Sequence, residues 1–197
     1  QWRAMVTRGG FWVDMNDPYI TCTNQYIETV WWMLGQFWKE GMLYEGHKVV
    51  PYCPRCGTAL SSHEVAQGYR EVEDPSVYVR FAIKDQANTS FLVWTTTPWT
   101  LISNVALAVG KEIEYVKVKL NEEYLILAKA RLEVLKGEGE IVATMKGEQL
   151  IGIEYHQLYT YVKPHKKAHY VIAGDFVSTE DGSGIVHIAP AFGEDDY

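Results

Sequence analysis

The sequence predicts an α+β protein that is mainly β: a closed or nearly closed barrel of short strands with small helices, preceded by a helix-containing piece of different character. Three observations carry this prediction. Hydrophobic residues make up 47% and aromatic residues 13% of the 197 positions, which suits a folded chain and not a disordered one. From about residue 65 onward, short β-prone runs recur at close spacing with turn residues between them, the signature of a barrel. Before residue 50, the one long periodic stretch has helical spacing.

Taken in order, Gly9-Gly10 opens a turn into a short apolar element, Phe11-Trp12-Val13-Asp14. From Asn24 to Glu40 the residues Ile27, Val30, Trp31, Leu34, Phe37 and Trp38 fall on one helical face. Glu28 near the start and Lys39 near the end suit the helix dipole, and Gly41 fits a C-terminal cap. The spacing predicts an amphipathic helix whose aromatic stripe packs on a core. Leu43 to Tyr52 reads as extended. Cys53-Pro54-Arg55-Cys56-Gly57 is a two-thiolate knuckle of the kind that binds zinc. A structural zinc site needs four ligands; there is no second C-x-x-C, Cys22 stands alone, and His63 is near enough in sequence to be a third. The knuckle reads equally as half a zinc site on Cys53 and Cys56 and as a tight turn closed by Gly57.

The strands come next. Val77, Val79, Phe81 and Ile83 alternate with Tyr78, Arg80, Ala82 and Lys84, a period of two. Further strands are expected at Phe91–Thr95, Val105–Val109, Tyr115–Leu120, Tyr124–Ala128, Glu140–Thr144, Tyr155–Val162, Tyr170–Ala173 and Ile185–Ala189. Asn121-Glu122-Glu123 supplies a hairpin turn, Lys129–Lys136 a short helix stopped by Gly137, and Asp181-Gly182-Ser183-Gly184 the entry to the last strand.

One strand ends oddly. Phe91-Leu92-Val93-Trp94 runs into Thr95-Thr96-Thr97-Pro98-Trp99-Thr100. Pro98 cannot continue a central ladder, so the strand should end near Thr97, and the residue before proline is pushed towards extended geometry. That leaves the Thr97 hydroxyl available to a ligand. Threonine is β-prone in any case, so composition alone favours a plain strand edge.

The formal charge of −7 argues against a domain that holds nucleic acid by its overall field. The obvious basic cluster, Lys163, His165, Lys166, Lys167 and His169, reads no better as an RNA patch than as a solvated loop. No apolar run reaches membrane-spanning length. Three cysteines without a secretory signal suggest a reducing, cytoplasmic setting. The chain reads as a piece of a longer polypeptide.

Two stretches together resemble the editing site of the isoleucyl-tRNA synthetases, class I aminoacyl-tRNA synthetases. The first is the T-T-T-P-W-T stretch at 95–100. The second is Gly182-Ser183-Gly184-Ile185-Val186-His187-Ile188-Ala189-Pro190-Ala191-Phe192-Gly193, followed by Asp196. Valyl and leucyl relatives carry T-T-R-P at the first site, so Thr97 points to the isoleucine branch. Ser183 stands where the family has threonine, which keeps the hydroxyl. Ile102 stands where proline is usual, which leaves the turn there open.

The resemblance implies an architecture and a chemistry. Residues 1–50 would belong to a Rossmann-like catalytic domain, 51–75 to a connection bearing the half knuckle, and 76–197 to an editing barrel. The adenylate-binding signatures of the family are absent, so ATP would be used only by the full-length enzyme. Editing itself would need no cofactor. The reaction implied is hydrolysis of a mischarged valyl ester on the isoleucine tRNA, the partner being the aminoacylated 3′ end, with the protein a monomer away from membranes. That synthetase is itself the standard example of the limit involved, its hydrophobic pocket favouring isoleucine over valine by only about 150-fold.

By family position, Asp196 would pair with the substrate ammonium, a charge-assisted hydrogen bond. Thr96 and Thr97 would orient water or ester, and with Thr95, Trp99, Thr100 and His187 would line the substrate. His187 would limit the pocket and bond the terminal adenosine, though a lone histidine on an apolar strand is usually a satisfied core residue. Trp99 either packs beneath the site or stacks on a base, and core packing is the preferred reading. No nucleophile–base pair is evident beside the threonines, and a positioned water is preferred to a Thr–His relay. The competing readings are a valyl- or leucyl-type editing domain, a non-catalytic RNA-binding barrel, and a zinc-ribbon interaction module.

Overall fold

Residues 1–137 and 139–197 are described by a computed structural model. The chain divides into two units, Gln1–His47 and Lys48–Tyr197.

The first unit holds α1 (Trp2–Arg8) and α2 (Asn24–Lys39). The Thr23 hydroxyl caps α2 by accepting the Tyr26 N–H at 3.4 Å. Gly41, at φ +70, ends it: its N–H donates to Trp38 O at 3.1 Å while Met42 N–H reaches Phe37 O at 2.9 Å, a Schellman ending that only a residue tolerant of left-handed backbone makes cheaply. The helix is where the periodicity places it, but its stripe covers no core. Trp31 is 70% and Trp38 67% exposed, and no residue of α2 is buried. So short a unit supplies too little chain to enclose six large apolar side chains. Phe11–Asp14 forms no element, and the periodicity gives no sign of α1.

The second unit opens with a hairpin of β1 (Tyr52–Cys53) and β2 (Thr58–Ala59), then α3 (Ser62–Ala66). Ser61 and Glu64 form a capping box, Glu64 accepting the Ser61 N–H at 2.8 Å and returning its own N–H to the Ser61 hydroxyl at 3.3 Å. After these come β3 (Val77–Ala82), β4 (Thr89–Thr95), β5 (Ala106–Val109), β6 (Glu114–Leu120), β7 (Glu123–Ala128), β8 (Glu140–Lys146), β9 (Tyr170–Ala173) and β10 (Ile185–Ile188). A 3₁₀ turn, Pro98–Ser103, separates β4 from β5, and another, Lys129–Leu135, succeeds β7.

Five strands form one sheet in the order β3-β4-β7-β6-β8, and three form another, β10-β5-β9. Neighbours are antiparallel except β4 with β7 and β5 with β9. The main core lies between the sheets: Phe81, Phe91, Val93, Tyr115 and Ile126 from the larger meet Leu107, Val109, Val171 and Ile185 from the smaller. Burying each such aliphatic or phenylalanine side chain contributes about 1.5–3 kcal/mol. The fold is thus mixed α+β and mainly sheet.

The expected closed barrel is not formed. Among the described residues the two ladders do not join; only the isolated bridges Ile83↔Tyr155 and Glu154↔Tyr170 stitch β3 towards β9. The reason is local. Of the expected strand Tyr155–Val162 only Tyr155 pairs, and residues 159–167 run out into solvent. The strand that would close the barrel is therefore missing.

Two buried phenols fix the smaller sheet. Tyr115 OH accepts the Gly110 N–H at 3.1 Å and donates to Gly184 O at 2.7 Å, holding the start of β10. Burial pushes this phenol up to about 12. Tyr155 OH donates to Asn104 Oδ1 at 2.7 Å, and Asn104 Nδ2 donates to Ala106 O at 2.8 Å, holding the start of β5.

Candidate functional site

β4 and β10 lie against each other, and a cleft of about 380 Å³ opens between the segments that leave their C-terminal ends. It is lined by Trp94, Thr95, Thr96, Thr97, Trp99, Thr100, Val186, His187, Phe192 and Asp196. Every substrate residue expected from the two motifs is brought together there. Trp94, Val186 and Phe192 join them without having been expected from the sequence. Trp94 reads as one more apolar strand residue, and its place on the cleft comes from the strand stopping one residue later.

The threonine stretch builds one wall. β4 ends at Thr95, and the Thr97 N–H turns back onto Thr95 Oγ1 at 3.1 Å, a hydroxyl-capped turn. This bond pulls Thr97 to φ −123, ψ 63, short of the extended geometry expected before proline. Its hydroxyl lies 3.3 Å from that of Thr95 and 3.5 Å from that of Thr100. Pro98 then starts the 3₁₀ turn, where its missing N–H costs nothing. Trp99 projects outward, 62% exposed, so it lines the cleft instead of packing beneath it.

His187 builds the facing wall from β10 and is only 7% exposed. Its Nε2 lies 2.9 Å from Thr100 Oγ1, and Thr100 Oγ1 lies 2.8 Å from Thr97 O. A carbonyl only accepts, so the Thr100 proton goes to Thr97 O and His187 donates through Nε2–H. The Nδ1 lone pair is then buried without a partner among the described residues. Burial holds the imidazole below its usual pKa, and the Asp196 carboxylate partly opposes this. In this arrangement the imidazole donates to the threonine and does not accept its proton, which suits a brace between the two walls.

Asp196 is positioned by backbone. One carboxylate oxygen accepts the Ala189 N–H at 2.8 Å. A Cβ at Gly193 would stand 3.0 Å from the Asp196 carboxyl carbon, so glycine there leaves room for the acid to fold back. The entry to β10 also depends on glycine. Gly182 at φ +67 and Gly184 at φ +73 adopt left-handed backbone, Gly182 against the Trp94 ring and Gly184 against Ala128. Arg131 pins the same turn, donating to Gly182 O and Glu180 O at 3.0 Å each.

The cysteine knuckle is elsewhere, in the β1–β2 hairpin. Cys56 N–H donates to Cys53 Sγ at 3.3 Å, and Gly57, at φ +69, donates its N–H to Cys53 O at 2.8 Å. The amide pointing at sulfur lowers the Cys53 thiol pKa, as suits a thiolate ligand. Yet no group of three or more metal-ligating side chains is assembled among the described residues. His63, considered as a third ligand, instead contacts Gln67 Nε2 at 2.8 Å. The donor set thus fits half a zinc site and no more.

The family model for tRNA synthetases class I (I, L, M and V) matches residues 1–176. The isoleucine–tRNA ligase of Clostridium acetobutylicum is 60% identical over 195 residues, 99% of this chain and 19% of that protein. The isoleucine–tRNA ligase of Bacillus thuringiensis is 52% identical over 198 residues, again 19% of its length. The chain therefore spans about a fifth of the relatives it matches. Among solved structures, the crystal structure of GlLeuRS-CP1 superposes with a TM-score of 0.54 at 16% identity, covering 62% of this chain and 57% of that one, a likeness of fold.

Proposed function

The chain belongs to the class I tRNA synthetases (I, L, M and V), and from that premise we propose that it carries the proofreading site of an isoleucine–tRNA ligase, hydrolysing valine wrongly esterified to the isoleucine tRNA. The observation that supports this most is the single cleft uniting two motifs some 87 residues apart, Thr95–Thr100 and His187–Asp196, through the Thr100–His187 hydrogen bond.

The chemistry is ester hydrolysis. Water adds to the aminoacyl carbonyl, the bond to the ribose oxygen breaks, that oxygen takes a proton, and valine and free tRNA leave. Asp196 anchors the α-ammonium, which every aminoacyl ester carries and which calls for a carboxylate. The Thr96 and Thr97 hydroxyls orient the water and the ester. His187 and Thr97 form a stiff wall that admits valine and excludes the extra methylene of isoleucine, because attraction alone separates the two by only about 1–3 kcal/mol.

In this reading the longer protein performs ATP-dependent ligation of isoleucine to its tRNA in the cytoplasm as a monomer, with ATP bound outside this chain. The β-sheet unit is the editing domain, and its open sheet arrangement stands in for the barrel. Cys53 and Cys56 contribute half of a structural zinc site that editing does not use. The test is release of valine and of isoleucine from the isoleucine tRNA charged with each. Rapid loss of valine with retention of isoleucine supports the reading, and equal stability of both esters refutes it.

A further inference from the structure

The basic run that the cleft does not use lies in one loop with a rigid base. The chain leaves the fold after Leu158, which packs on the main core, and returns at His169, and the base of the loop is tied, Tyr155 N–H donating to His169 O at 3.0 Å. His169 is buried, in left-handed backbone at φ +63, and its ring lies edge-on to Tyr155 with centroids 5.8 Å apart. Residues 159–167, by contrast, are all exposed. Such closed, tied surface loops are frequently functional.

The exposed part is specific in composition. The rings of Tyr159 and Tyr161 stack on one another, centroids 6.0 Å apart and 13° between planes, yet they are 41% and 78% exposed. Gln157 Nε2 braces the turn by donating to Val162 O at 3.1 Å. Next come Lys163, His165, Lys166 and Lys167. Lys167 is held by Glu154 at 3.4 Å and sits over the Tyr170 ring at 5.1 Å. Lys163 and Lys166 form no ion pair among the described residues.

The register places this loop beside the cleft. Tyr170 pairs with Ala106, and Ala106 with Ile188. The loop therefore emerges at the same end of the three-stranded sheet as the Ala189–Asp196 segment, two strand spacings or about 10 Å from it. Val105 links the two directly: its N–H donates to Ile188 O at 2.9 Å and its carbonyl accepts the His169 N–H at 2.6 Å.

We propose that the loop Tyr159–Lys167 is a docking surface for the single-stranded 3′ end of the tRNA, the lysines meeting phosphates and the tyrosine stack offering a face to a base. The identity of the strand rests on the proofreading reading above. A chain of net charge −7 repels RNA as a whole, so a strand led into this cleft needs local ammonium groups and stacking surfaces. The loop supplies both at the mouth end of the sheet that carries His187.

The test is equilibrium binding, by fluorescence anisotropy across a salt series, of a labelled acceptor-stem hairpin with and without its single-stranded 3′ tail. The Lys163→Ala/Lys166→Ala variant should bind the tailed hairpin about tenfold more weakly, with the slope of log Kd against log salt reduced by about 1.4, or about 0.7 for each phosphate contact on a single strand. Tyr159→Ala/Tyr161→Ala should weaken binding by a similar factor with the slope unchanged. Wild-type Kd and slope in both variants, or equal binding of tailed and tailless hairpins by the wild type, would overturn the proposal. Deacylation is read separately. If valine release fails in the wild type while the loop variants lose tail binding, the proofreading assignment falls and the docking surface stands.

Discussion

Replacing Asp196 by asparagine separates the charge of this residue from its structural duty. One carboxylate oxygen holds the Ala189 N–H at 2.8 Å, and the side chain lies close against Gly193. Asparagine keeps an acceptor for that amide and nearly the same volume; it loses only the negative charge that would face an α-ammonium. A hydrogen bond to a charged partner contributes about 1.5–3 kcal/mol, which at about 1.4 kcal/mol per decade corresponds to a 10- to 150-fold fall in kcat/KM for valyl-tRNA. Asp196 is only half-buried, so water screening places the expectation near the lower end. Asp196→Ala should lose more, because it also strands the Ala189 amide. Gly193→Ala should lower the rate without changing any charge, since the new Cβ crowds the carboxyl at 3.0 Å. The assay is single-turnover release of valine, with thermal unfolding measured on each variant. A folded Asp196→Asn protein within twofold of wild type would refute the ammonium role. Loss confined to the alanine variant would assign Asp196 to shaping the backbone at Ala189.

The same geometry carries other expectations. His187→Ala should gain activity on correctly charged isoleucyl-tRNA by opening the wall; a substrate ratio unchanged from wild type, with both rates lower, would place the wall elsewhere. His169 and His187 are both held below the usual 6.5, by burial first and for His169 by Lys84 as well. The folded state then binds fewer protons than the unfolded one once the pH drops below about 6.5, so stability falls on acidification, by at most about 1.4 kcal/mol per pH unit for each histidine. Urea midpoints on either side of pH 6.5 check this. His169→Asn, which tolerates left-handed backbone, should flatten the dependence, and an unaltered profile would refute the assignment. Chelation should leave valine release intact, because the cysteine knuckle lies in a hairpin apart from the cleft; a folded protein inactivated by chelator would show that metal matters to catalysis.

What could be read from the residues depended on how local the cause was. Tyr170–Ala173 and the bounds of α2 arise from short-range pattern and capping, and the structure places them as expected. The cleft residues were legible because the two motifs are dense in unusual chemistry. The barrel was not, because closure is a property of which edges meet. Tyr155–Val162 has the aromatic and β-branched composition of a strand, but among the described residues only its first two positions meet a neighbouring edge, at Ala82, Ile83 and His169. His169 reads as a member of a basic surface cluster, whereas its burial arises from Val105 and Tyr155, far away in sequence. The stripe on α2 has the right period and no partner within its unit.

The pairing of β10 with β5 has a consequence for the order in which this protein acquires its abilities. β5 and β9 can zip together as soon as residue 173 is available, and the larger sheet needs nothing beyond residue 146. The cleft needs β10, whose ladder partner lies some 80 residues back, and Thr100 meets His187 across 87 residues. Such long closures cost chain entropy before any contact repays them. During synthesis, therefore, a nearly complete β scaffold precedes the cleft, and the proposed site is assembled only when the Ile185–Asp196 segment leaves the ribosome and docks.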